Sequence, residues 1–209
     1  QDIRTNDGDF ITALAILKGR LYTFKRYSIH RWTYTGGTPL FSIKTAVSGV
    51  GTISSKSVVN ISHPKYGEIL IFLAADARFY GFDGSQVFPL STNIELDNGV
   101  SEFNLSKLNN IYLNLACATD DKIKHWYICW VPTTSYNNYF VVYDYYGDSW
   151  WPGDGINART VSIGESGAKR NIYCIADSGV ISRFDYGNTN QGAAIVANYE
   201  SKKLNVNDN

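Results

Sequence analysis

Five aspartates stand where this chain could carry out chemistry. Asp76, Asp83, Asp144, Asp177 and Asp185 each follow an apolar run at a turn signal. Paired carboxylates are what glycoside hydrolysis needs, one as acid and the other as base or nucleophile. The same residue at a strand end also has a simpler occupation, accepting hydrogen bonds from the backbone amides that follow it. Turn closure is the expected role, and no catalytic residue is assigned.

The other chemical residue types do not gather. His30, His63 and His125 show no metal-binding spacing, and the chain lacks a Gly-x-Ser-x-Gly elbow and a phosphate-cradling Gly-rich loop with lysine. Cys117, Cys129 and Cys174 are too few and too scattered for a disulfide scaffold or a zinc site, so all three are expected as free thiols and no cofactor is expected. The segment from Asp144 to Trp150 resembles the Asp-box of sialidase-type propellers. It departs from that pattern because Gly147 comes one residue late and no serine precedes Asp144 by two.

Two surfaces are candidates for binding. Tyr136, Tyr139, Tyr145, Tyr146, Trp150 and Trp151 lie close in sequence beside Asn and Asp. Amphipathic rings in such company can stack on sugars, or they can pack one sheet on the next. Lys18, Arg20, Lys25, Arg26 and Arg31 form a basic stripe that would face DNA, a neighbouring subunit or solvent.

The elements that must position these residues are short strands. Fifteen Tyr, ten Phe and five Trp are interspersed with β-branched runs, and no stretch keeps a 3.6-residue apolar period between helix caps. Ile11–Leu17 and Arg20–Phe24 read as a hairpin about Lys18-Gly19, with a third strand through Trp32. Ser57–Ile61, Glu68–Ala75, Phe79–Phe82 and Gln86–Leu90 follow. The run Ile69 to Ala75 is apolar on both faces and must be covered on both sides. Ile111–Ala118 and Ile123–Val131 read as a hairpin about Asp120-Asp121-Lys122, which sets Cys117 opposite His125 and Leu113 opposite Cys129. That register places Cys117 and Cys129 about 13 Å apart. Tyr139–Tyr145, Thr160–Gly164, Asn171–Ala176, Val180–Asp185 and Ala194–Tyr199 complete the strands.

A degenerate repeat runs through them. Ala75-Asp76, a turn, Phe79 to Phe82, then Asp83-Gly84 parallels Ala176-Asp177, a turn, Val180 to Phe184, then Asp185 and Gly187; Tyr143-Asp144 and Gly147 repeat the last part. The period of about 40–60 residues suits propeller blades. The expected fold is all-β, a β-propeller or partial propeller of about four antiparallel blades. One domain spans residues 1–209, with blade-like units over 10–47, 48–95, 103–155 and 156–199.

Composition agrees. The chain is 44% apolar and 18% charged, which is globular, and 19 basic residues offset 19 acidic ones, so there is no overall excess to hold nucleic acid. No apolar run reaches the roughly 20 residues that cross a bilayer. The chain contains no Met, and it reads as a segment of something longer.

Four segments in order carry a family resemblance: Leu21 to Trp32; Ser48 to Val59 leading into Phe72 to Gly84; Val142-Tyr143-Asp144 to Trp150-Trp151; and Asp177 to Asp185 followed by Tyr199 to Leu204. Across residues 14–205 the chain resembles the propeller portion of tail nozzle (tail tubular protein B-like) proteins of short-tailed bacteriophages. That resemblance implies a virion structural protein, part of an oligomeric ring around the DNA channel. Its partners would be further copies, other virion proteins and DNA in the lumen. A carbohydrate-binding propeller for host glycans is the alternative reading, and a glycoside-acting propeller enzyme the second.

Overall fold

The computed structural model describes residues 8–94, 105–166, 169–184, 189–190 and 193–194. Asp185, Gly187 and the segments 195–199 and 199–204 singled out in the sequence lie outside the described residues. The fold is all-β, and the only helical pieces among the described residues are four 3-10 turns. No helix there is long and apolar enough to cross a membrane.

Four antiparallel sheets of three or four strands follow one another along the chain. The first holds β1 (Ile11–Leu17), β2 (Arg20–Lys25), β3 (Ser28–Tyr34) and β4 (Phe41–Ser48). The second holds β5 (Val59–His63), β6 (Gly67–Leu73), β7 (Phe79–Phe82) and β8 (Val87–Pro89). The third holds β9 (Cys117–Asp121), β10 (Trp126–Pro132), β11 (Asn137–Asp144) and β12 (Ser149–Asp154). The fourth holds β13 (Thr160–Ser166), β14 (Lys169–Ile175) and β15 (Ile181–Arg183). Thr189–Asn190 and Ala193–Ala194 form a separate two-stranded ladder.

The sheets stack face to face, and strand alternation shows why. Leu70 and Phe72 point back to Tyr22, Phe24 and Ile29 of the first sheet. Ile69, Ile71 and Leu73 point forward to Tyr127, Cys129 and Tyr143 of the third. Ile128 and Trp130 then face Ile172 and Cys174 of the fourth. A strand apolar on both faces is thus sandwiched on both sides, as its sequence requires. The first strands of successive sheets lie side by side, β5 along β9 and β9 along β13.

Three sequence expectations are corrected. The hairpin register is different: Trp126 pairs with Asp121, Cys129 with Ala118 and Trp130 with Cys117. Asp121 Oδ1 accepts from the amides of Ile123 and Lys124, at 3.0 and 3.1 Å, so the turn forms beyond Asp121 rather than around it. Upstream, Leu113–Leu115 is a 3-10 turn rather than strand. Cys117 and Cys129 therefore sit on neighbouring strands but face different clusters. All three cysteines are buried free thiols, and burial pushes Cys117 and Cys174 up to about 12. The second correction is that Ser55–Ser57 is a 3-10 turn, with the strand starting at Val59.

The third correction shifts the repeat by one residue. Ala74 N donates to Arg78 O and Ala77 N to Ala74 O; Ala176 N donates to Val180 O and Gly179 N to Ala176 O. The residues with positive φ are Ala77 (64°) and Gly179 (79°). Ala74, not Ala75, is the structural counterpart of Ala176.

Candidate functional site

Asp76, Asp83 and Asp144 accept hydrogen bonds from the backbone amides that follow them. Asp83 Oδ1 accepts from the amides of Ser85 (2.8 Å) and Gln86 (2.9 Å) and from the Ser85 hydroxyl. Burial alone would raise its carboxyl, but those donations outweigh it and hold the group below its ordinary value. Asp144 Oδ1 accepts from Tyr146 N and Gly147 N at 2.9 and 3.0 Å. Asp76 caps Arg78 N and the Tyr80 hydroxyl, and Asp177 pairs with Arg159 at 2.6 Å.

The basic stripe does not form one surface. Lys18 Nζ donates to Asp83 O at 2.9 Å, bracing the first sheet against a turn of the second. Arg20 is exposed and Arg31 half-buried. Lys25 is buried, at 2% exposure, and so leaves the solvent-facing row. Gly51 closes over that turn, since a Cβ there would lie 2.0 Å from Lys25 O. Arg26 lies over the Tyr27 ring, and its backbone amide is held by Asp9 at 3.0 Å.

On the side of the first sheet away from the second, the pairing register aligns Leu14, Ile16 and Leu21 with Trp32, Tyr34, Phe41 and Ile43. Leu14 is 64% exposed, Ile16 65% and Tyr34 68%. Phe41 meets Trp32 and Tyr34 edge-on at 5.9 and 5.6 Å, and Trp32 Nε1 donates to Thr23 Oγ1. Below this row, His30 is bracketed by Ser28 and Thr45 hydroxyls at 3.0 and 3.3 Å. None of the three clusters between sheets includes this face.

The aromatic group divides among four places. Trp150 stacks on Tyr143 (4.6 Å, 20°), meets Phe79 at 5.0 Å, and donates Nε1 to Leu90 O at 2.9 Å, so it locks the third sheet to the second. Tyr139 packs against the same cluster. Trp151 turns the other way and meets Trp126 edge-on at 5.1 Å, toward the fourth sheet. Tyr136 borders a groove of about 240 Å³ with Arg159 and Asp177.

Tyr145 and Tyr146 do come together, beside a cleft of about 500 Å³ bordered by Asn60, Glu68, Asp120, Lys122 and His125. Tyr145 is buried, and burial, with Asp120 and Asp121 nearby, pushes its hydroxyl up to about 12. Tyr146 is 61% exposed and stacks on His125 at 4.1 Å and 25°. Asp120 Oδ1 accepts from Arg170 Nη2 of the fourth sheet at 3.1 Å.

A polar chain near this cleft was not visible in the sequence. Lys65 N donates to His63 Nδ1 at 3.1 Å, which leaves the proton on Nε2, 3.2 Å from the Tyr143 hydroxyl. Tyr143 in turn donates to Asp148 Oδ1 at 2.8 Å. Burial lowers His63 below its ordinary value; Asp148 opposes this and Lys65 reinforces it. The donors run one way, so the chain holds a neutral imidazole. His63 and Tyr143 are 80 residues apart, and no local spacing marks the pair.

No family model matches the chain, and no curated protein matches it.

Proposed function

We propose that this chain is a structural component of a virus particle, of the tail nozzle or head–tail connector type, folded as part of a β-propeller. It works as a ring of copies around a DNA channel, in contact with other virion proteins. The propeller reading is supported by sheets that stack in chain order, the first strands of the second, third and fourth lying side by side.

One observation carries the assembly reading: the outer face of the first sheet presents Leu14, Ile16 and Tyr34 to solvent. A contiguous apolar face of this kind calls for burial. Its occupant is the far face of the fourth sheet in a second copy, where Tyr173, Ile175 and Ile181 align by register. That contact is head-to-tail, and it closes into a ring when the rotation allows. A formal net charge of zero leaves little repulsion between copies.

Sedimentation velocity across a micromolar dilution series, with negative-stain imaging, tests this. Association that grows with concentration, with ring-shaped particles, is expected. The double variant Leu14→Glu, Ile16→Glu is expected to sediment as a monomer with an unchanged circular dichroism spectrum. A single monomer species for the unaltered chain at every concentration overturns the reading.

A further inference from the structure

The cleft between the second and third sheets has a volume, about 500 Å³, within the range of small-molecule sites. It contains an unmet hydrogen-bonding demand. Asp120 is 6% exposed, and its Oδ2 accepts no hydrogen bond. Arg170 engages only the other oxygen, and its own Nε donates to nothing. A buried polar atom left in this state keeps an uncompensated desolvation penalty. A ligand hydroxyl that draws the Asp120 carboxylate toward the cleft and donates to Oδ2 meets that demand.

The rest of the cleft fits the same ligand class. The Tyr146 ring is largely exposed, and its stack on His125 fixes its plane. His125 holds φ at 60°, a conformation that disfavours side chains other than glycine, and its ring contacts are with Tyr145 and Tyr146. Around this platform stand Glu68, whose Oε1 accepts from Asn60 Nδ2 at 2.8 Å and whose other oxygen remains an acceptor, the Asn60 side-chain oxygen, and the Lys122 ammonium as a donor. The Asp120 charge is balanced by Arg170, and Glu68 is held low by Asn60 and Lys18, so neither carboxylate stands unbalanced and the cleft does not select a strongly charged ligand.

We propose that this cleft binds a neutral saccharide. The C–H face of one pyranose ring rests on Tyr146, and its hydroxyl groups meet Asp120, Asn60 and Glu68. This binding is independent of assembly, since the first sheet's outer face does not border the cleft.

Saturation-transfer-difference NMR on the full chain tests it, with the methyl glycosides of glucose, galactose and mannose, N-acetylglucosamine and glucuronic acid as probes. Transfer to ring C–H protons of at least one neutral sugar is expected. Tyr146→Ala removes the platform and weakens that binding by about tenfold. His125→Gly removes the supporting ring at a position whose φ suits glycine, so the variant keeps its fold and also loses transfer. Tyr136→Ala, at the separate groove beside Arg159 and Asp177, keeps transfer unchanged. No transfer to any neutral sugar, transfer to glucuronic acid alone, or undiminished transfer in both Tyr146→Ala and His125→Gly would overturn the proposal.

Discussion

The junction between the second and third sheets and the outer face of the first sheet are made of the same residue types, yet their surroundings are opposite. In the junction, Ile69, Ile71, Leu73, Phe79, Tyr127 and Tyr143 are all buried. On the outer face, Leu14, Ile16, Leu21, Tyr34 and Phe41 are all exposed. The difference lies in polar provision as well as in cover. Ser54 Oγ reaches Ala116 O at 2.6 Å and Tyr127 reaches Ser57 O at 2.9 Å, so hydrogen bonds cross the junction alongside the apolar contacts. On the outer face, Trp32 bonds to Thr23 and His30 to Ser28 and Thr45, all within the first sheet. The exposed side chains of that face are apolar, so covering them strands no donor of their own.

The strongest test of this contrast is truncation on each side. Phe79→Ala in the junction should cost about 3–5 kcal/mol in urea unfolding, the usual loss for a buried phenylalanine. If it costs no more than Ile16→Ala, the junction is not the core of the fold.

Turn closure comes next in size. Asp83→Ala and Asp144→Ala each strand backbone donors and should lower stability by about 1–3 kcal/mol in the same assay. A hydrolytic activity lost in these variants while stability stays intact would return them to chemistry.

A smaller effect separates the two regions by pH. His63 has a folded-state pKa below its unfolded value of about 6.5, so below that pH the unfolded chain binds the proton that the folded chain refuses. His63 therefore contributes a loss of stability as pH falls from about 6.5 toward the lower folded value, and no dependence above it. Urea midpoints at pH 7.5 and 5.5 should differ for the unaltered chain, and the gap should narrow in His63→Gln. A gap of unchanged size would assign the pH dependence to other groups.

The smallest effect is expected on the open face. Leu14→Ala and Ile16→Ala should change monomer stability by no more than about 0.5 kcal/mol, because little is buried there to lose. A cost of several kcal/mol at low protein concentration would mean that this face is covered in the monomer.

The fold was legible in the sequence where alternation and turn chemistry agree. Lys18-Gly19 and the run Ile69 to Leu73 placed β1, β2 and β6 within a residue or two. Legibility failed where a side chain redirected the backbone. Asp121 caps the next two amides, and that shifts the β9–β10 register away from a reading based on apolar runs alone. It failed again where strand content is mixed, as in β12, whose Ser149-Trp150-Trp151-Pro152 reads as a turn and an aromatic pair. The candidate cleft was half visible. Tyr145 and Tyr146 stood out as aromatics, but Asp120, Asn60 and Glu68 join them only because the second and third sheets stack. The basic residues misled for a related reason: Lys25 alternates onto a face where Thr23 and His30 are also buried.

Every described ladder joins strands that are neighbours in sequence, from β1-β2-β3-β4 through β13-β14-β15. Among the described residues, each layer is therefore written in one uninterrupted stretch of chain, and no layer borrows a strand from another. A duplication or deletion of a whole stretch adds or removes one layer and leaves the remaining hydrogen-bond ladders intact, as in repeat architectures whose units touch only their neighbours. What such an event alters is which apolar face ends the stack, so the length of a lineage's gene and the partners of its product would change together.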